Sequence, residues 1–185
     1  MKKSLVRFIS FVLVPFFLSA CVTTYRDFPN QMVGKTPDSN KEGTLYYKIK
    51  KFPVIDSGGE RTLYKIFQNE TPFRNTKETE DIPDEGVYCL VEAQYKPFSV
   101  PALIFGYISV SFLTILPAWS TQDGWRVRYH LYVNGKEKDV YSYEITRKAG
   151  LWLGLLPFFW VNFLTYSEAD AFEATTYQFF KDANL

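Results

Sequence analysis

Histidine occurs once in the 185 residues, at position 130, and cysteine twice, at positions 21 and 89. With a single histidine, no second imidazole is available for a metal site. Neither a Ser-His-Asp nor a Cys-His arrangement can be assembled without His130. His130 falls on the polar side of an alternating segment, where a solvated side chain is expected. A glycine-rich phosphate-binding loop is missing too, since Gly58-Gly59 and Gly150 stand alone. Nor is there an excess of positive charge: Lys and Arg total 21 against 20 Asp and Glu. That balance excludes the basic footprint of a nucleic-acid binder. No catalytic residue, metal ligand or cofactor site is nominated, and the chain reads as non-enzymatic.

Charge is also missing locally. Pro97 to Gln122 and Ala149 to Ser167 contain no charged residue. Three readings of these segments (97–122 and 149–167) stand open. Their lengths allow transmembrane helices, which need about 20 apolar residues, but Pro101, Gly106 and Pro117 interrupt the first and Pro157 the second. They also suit a core: "ISVSFLT" alternates like a strand, and a hairpin extended outward would make the two runs neighbours in a sheet. The third reading is an interfacial or partner-binding element. Trp119, Trp152, Phe158, Phe159 and Trp160 cluster near the run ends, where aromatic side chains suit a membrane boundary.

The N-terminus has three parts. Lys2, Lys3 and Arg7 are followed by Phe8 to Leu18, apolar except for Ser10 and Pro15, and then by the small residues Ser19 and Ala20. This is the pattern of an export signal, with a middle too short to span a bilayer. The sequence Leu18-Ser19-Ala20-Cys21 resembles the lipobox of bacterial lipoproteins. The resemblance covers residues 1–22 only. It implies removal of 1–20, a diacylglyceryl group on the Cys21 thiol and an acylated new amino terminus. Val22 stands where an aspartate favours inner-membrane retention in enteric bacteria. The resemblance therefore implies the outer membrane, facing the periplasm, with the inner membrane as the alternative. It also leaves Cys89 as the one free thiol, so no intramolecular disulfide forms. Loss of three cations leaves 18 Lys and Arg against 20 acids, a net charge of about −2.

After the signal, residues 21–42 show no sustained period and read as a lipidated tether. Residues 43–185 read as a single α+β domain with an antiparallel sheet. Leu45, Tyr47 and Ile49 alternate with polar partners as a strand. Leu63, Ile66 and Phe67 mark one face of a short helix at about 59–69. Residues 70–86 read as a polar loop pinned by Phe73, and Val87 to Tyr95 as a strand that buries Cys89. Ser167 and Asp170 form a capping-box-like start to a C-terminal helix at about 167–183. A β-hairpin spans about 125–147. Asn134-Gly135 invites a two-residue turn. Such a turn would pair Leu131 with Lys138 and Trp125 with Glu144, placing charge on the apolar face. The expected loop is therefore odd-numbered, with Glu144 near Arg126 or Arg128.

Together these features predict a lipid-anchored envelope lipoprotein with a scaffold or accessory binding role toward the membrane or an envelope protein. Two alternatives are a carrier of a small apolar ligand and an enzyme acting on cell-wall or lipid substrates. The enzyme reading would use acidic pairs such as Glu78/Glu80 or Asp84/Glu85, which sit in a charge-rich loop and read as solvated surface.

Overall fold

A computed structural model describes residues 21–37, 41–53 and 58–185. The export signal, 1–20, lies outside the described residues, as does part of the expected tether, 38–40. The strands are β1 (Cys21–Arg26), β2 (Lys41–Ile49), β3 (Phe73–Glu78), β4 (Val87–Lys96), β5 (Ala118–Ser120), β6 (Gly124–Val133) and β7 (Lys136–Leu151). The helices are α1 (Gly58–Asn69), α2 (Val100–Ser111) and α3 (Glu168–Asp182), with 3₁₀ segments at Asn30–Met32 and Leu153–Phe163. The chain is thus α+β. Its described residues gather in two compact units, and the stretch from 43 onward contributes to both. The first unit comprises 21–24, Pro97–Asp123 and Arg147–Tyr166. The second comprises Tyr25–Lys96, Gly124–Thr146 and Ser167–Leu185.

The second unit is a sheet in the order β7-β6-β4-β2-β3, with α1 and α3 sharing its core. Alternation decides which side chains enter that core. Leu45, Tyr47 and Ile49 of β2, Cys89 and Val91 of β4, and Trp125, Val127, Tyr129 and Leu131 of β6 are buried. They meet Leu63, Ile66 and Phe67 of α1 and Phe172, Phe179 and Phe180 of α3. Tyr129 stacks on Phe179 with ring centroids 4.6 Å apart, and its hydroxyl lies 2.9 Å from that of Thr176. The phenol is therefore buried with its polar end satisfied. At the start of α3 the Ser167 hydroxyl accepts from the Asp170 amide at 3.2 Å. The Asp170 carboxylate accepts from the Ser167 amide at 2.8 Å, closing the capping box.

One strand departs from the antiparallel pattern. β2 runs parallel to both β3 and β4, so the sheet is mixed. The connection from β2 to β3 contains α1, the kind of crossover that parallel strands require. β3 itself corrects the expected 70–86 loop: Phe73 is buried and Thr44 to Tyr47 pair with Asn75 to Glu78. The tether expectation is corrected likewise at 21–37. β1 is a strand whose Tyr25 is buried, with its hydroxyl donating to Glu168 at 3.2 Å.

The hairpin corrects the loop length and keeps the expected pairing. Val133 pairs with Lys136 across Asn134-Gly135, and both turn residues have positive φ, 49° and 73°. That is a two-residue type I′ turn. The parity conflict is removed two pairs later, because Leu131 opposes Asp139 while Tyr132 opposes Glu137. Lys138 is the extra residue of a β-bulge. Beyond it Tyr129 faces Tyr141, Val127 faces Tyr143 and Arg126 faces Glu144.

In the first unit, α2 takes in Ile108 to Ser111, part of the segment whose alternation suggests a strand. Ser99 caps it, accepting from the Ala102 amide at 3.4 Å, and Pro101 occupies its first turn. Both residues favour helix initiation. The short strand β5 pairs antiparallel with the end of β7, Ala118 with Leu151 and Ser120 with Ala149. Among the described residues no helix is long and apolar enough to cross a membrane. The 12 residues of α2 extend about 18 Å, against a hydrocarbon core of about 30 Å.

Gly59 tests the core of the second unit. A Cβ there would lie 2.4 Å from the Phe172 ring, and Phe172 is fully buried. Gly→Ala inside a helix ordinarily stabilises by about 1 kcal/mol. Here overpacking dominates, and Gly59→Ala is expected to destabilise by about 1–3 kcal/mol. Urea unfolding monitored by circular dichroism reads this; a raised midpoint would show that the ring yields.

Candidate functional site

The first unit carries an unusual surface. Seventeen of the nineteen exposed large apolar side chains among the described residues belong to it. They include Leu103, Ile104 and Phe105 on α2, Trp119 on β5, and Phe158, Phe159, Trp160 and Phe163 on the second 3₁₀ segment. The core reading of the two charge-free runs is therefore corrected, since most of their large side chains face outward. Cys21 also belongs to this unit, half-buried, together with Trp119, Trp152, Phe158, Phe159 and Trp160. The lipobox-like cysteine and the run-end aromatic residues, distant in sequence, thus share one compact unit.

Only three charged residues occur among the unit's described residues: Asp123, Arg147 and Lys148. Asp123 is fully buried. Arg147 Nε donates to its Oδ2 at 2.6 Å, and the Ser120 hydroxyl donates to its Oδ1. The Arg147 backbone N–H also donates to the Asp123 carbonyl at 2.6 Å. The guanidinium lies 5.0 Å from the Phe98 ring centroid, in cation–π range. Neither residue was singled out from the sequence, yet a signal existed. Asp123 is the first charge after one apolar run, and Arg147 stands just before the other.

A cleft of about 330 Å³ opens in this unit, with Cys21, Leu103, Tyr107, Trp119, Arg147 and Leu151 among its lining residues. Cys21 Sγ lies 3.4 Å from Thr23 Oγ1. Asn162 holds this stretch by its side chain: Nδ2 donates to the Cys21 carbonyl at 2.8 Å, and Oδ1 accepts from the Thr23 N–H at 2.8 Å. The amide thus imitates a neighbouring strand. Thr165 adds a bond to the Thr23 carbonyl at 2.9 Å. Asn162 is the one amide in its apolar run, which was the available clue to its role.

The second unit offers polar groups of a different kind. Cys89 is fully buried, as expected, and burial pushes its thiol well above the ordinary value. His130, expected to be solvated, is instead engaged. Its Nδ1 lies 2.8 Å from Glu137 and its Nε2 3.8 Å from Glu92. A cleft of about 450 Å³ is lined by Lys50, Glu92, Arg126 and Arg128 among others. Within it the bond from Lys50 holds Glu92 below the usual carboxylate range. Bonds from Lys96 and then Arg126 do the same for Glu144. Glu78 and Glu80 are exposed, with Glu80 paired to Lys48, and Asp84 and Glu85 are exposed as well. Among the described residues no three His, Cys, Asp or Glu side chains form a metal-binding group.

No protein-family model matches the chain, and no curated protein matches it significantly. Among solved structures it is similar to a PelC dodecamer (a single-substitution variant) from Paraburkholderia phytofirmans. That alignment has 9% identity, covers 85% of this chain and 95% of the other, and has a TM-score of 0.28.

The Asn162 clamp makes a local prediction. Asn162→Leu removes two hydrogen bonds, each contributing about 1 kcal/mol. The Thr23 amide should then exchange with deuterium about tenfold faster or more, while β4 amides keep their rates. Unchanged exchange at Thr23 would show that the clamp holds nothing.

Proposed function

We propose that this chain is a lipid-anchored lipoprotein of the bacterial cell envelope with a non-enzymatic, accessory binding role. Cys21 is its lipid-attachment residue. The outer membrane, with the protein facing the periplasm, is its address. One observation carries the reading: the lipobox cysteine lies in the same unit as the exposed, charge-free aromatic surface. A single acyl chain gives marginal, reversible membrane binding, so stable anchoring draws on several chains or on a protein contribution. Large exposed apolar surfaces mark membrane or protein contacts. Trp119, Trp152, Phe158, Phe159 and Trp160 are the contact residues in this reading. The non-enzymatic part draws support from the acidic pairs, which lie exposed, and from His130, whose neighbours are surface carboxylates.

Metabolic labelling with radioactive palmitate tests the anchor. The wild-type protein should incorporate label and fractionate with the outer membrane. Cys21→Ala should incorporate none and leave that fraction. A wild-type protein that carries no label and is recovered soluble at its full, uncut length would contradict the proposal.

A further inference from the structure

We infer that the exposed apolar surface of the first unit lies in the boundary region of a phospholipid bilayer, giving the protein a second membrane attachment of its own making. This deepens the lipoprotein reading and rests on it for the identity of the first attachment. Three observations favour a bilayer over water or a protein partner. The first is electrostatic. The two runs carry no charge, and the fully buried Asp123 is paired with Arg147. Lys148, directly before the second run, is exposed, as suits a residue beside anionic headgroups.

The second observation concerns hydrogen bonds. In a bilayer, polar groups must find partners inside the protein. Several polar side chains of these runs do so, although the buried Thr114 hydroxyl does not. Ser109 donates to the Leu116 carbonyl, Ser111 to the Tyr107 carbonyl at 2.9 Å and Trp152 Nε1 to the Ile115 carbonyl at 2.9 Å. Asn162 and Thr165 bond to the backbone of Cys21 and Thr23. Most of the large side chains left outside are aliphatic or aromatic, Leu103, Ile104, Phe105, Phe158, Phe159 and Phe163 among them. A protein partner of ordinary composition would need polar groups at its rim to match.

The third is dimension and continuity. α2 is too short to span, so its apolar residues suit an element lying in the interfacial plane. Cys21 is in the same unit, so the fatty chains it carries in the lipoprotein reading would enter the bilayer from the unit that is to be inserted. The tryptophans give a built-in reporter. Of the four in the chain, Trp119, Trp152 and Trp160 are 61%, 43% and 49% exposed in the first unit, whereas Trp125 is 3% exposed in the core of the second.

The test uses the full lipidated protein, reconstituted in vesicles of phosphatidylethanolamine and phosphatidylglycerol with brominated or ordinary acyl chains. Bromine quenches tryptophan fluorescence on close approach. Wild-type emission should fall about twofold or more in brominated vesicles, as expected for rings at the interface. Each single variant, Trp119→Phe, Trp152→Phe or Trp160→Phe, should lose part of that quenching. The triple variant, reporting Trp125 alone, should lose nearly all of it. Full emission from the wild-type protein in brominated vesicles, with flotation showing it membrane-bound, would overturn the inference and leave the surface to a protein partner. Intact mass separates this from the anchor. A protein without lipid refutes the lipoprotein reading; if that protein is still quenched when vesicles are added, the bilayer inference stands, and if it is not, both fall.

Discussion

The ion pair between Asp123 and Arg147 joins the borders of two apolar runs that lie far apart in the chain. Asp123 is fully buried, and removing one partner of a buried pair typically costs about 3–5 kcal/mol because a charge is left unpaired. The pair, with Ser120 on the second carboxylate oxygen, brings the end of one run to the start of the other. The pairing of β5 with the end of β7 follows from the same juxtaposition. So does the cleft that Arg147, Trp119 and Leu151 line together. The first unit is therefore organised by its few polar groups, while its many apolar groups remain outside.

That arrangement inverts the usual order. In the second unit, alternating strands and two helices bury Tyr129, Phe172, Phe179 and Phe180 and leave the charges in solvent. In the first, the Asp123 carboxylate and the hydroxyls of Ser109, Thr114 and Ser120 are buried, and Leu103, Phe105, Phe159 and Phe163 face outward. Exposing that much apolar surface to water is unfavourable by roughly 25 cal/mol for each Å². A partner phase that covers it recovers this free energy. Covalent acylation at Cys21 would hold the unit beside such a phase, so that covering the surface becomes an intramolecular event.

Much of the second unit was legible in the sequence, because its elements have simple periods. The alternation of Leu45, Tyr47 and Ile49, the i, i+3, i+4 pattern of Leu63, Ile66 and Phe67, and the Ser167/Asp170 cap each have one physical reading. β3 escaped because "FRNTKE" has a single apolar residue, and its pairing is set by β2 rather than by its own pattern. The hairpin shows the limit of parity arguments. The conflict between Asn134-Gly135 and the faces of the strands was real, but a bulge at Lys138 resolved it where a longer loop had been expected. In the first unit, period gave the wrong element for "ISVSFLT", because the helix that starts after Ser99 runs on through Ile108 to Ser111. The aromatic residues of the site were legible as a cluster in composition. Asn162, Asp123 and Arg147 stood out only by position, as the one amide within a run and the charges at the run borders; their roles depend on contacts across 24 to 141 positions of sequence.

The central claim is that the first unit's apolar surface is covered in the cell. Single cysteines introduced by Ile104→Cys and Phe159→Cys, compared with Lys77→Cys on β3 of the second unit, test it in native membranes with a water-soluble maleimide. Covered positions at 104 and 159 should react only after denaturation, while position 77 reacts at once. Equal, immediate reaction at all three would mean that the surface faces water, and the account would be wrong.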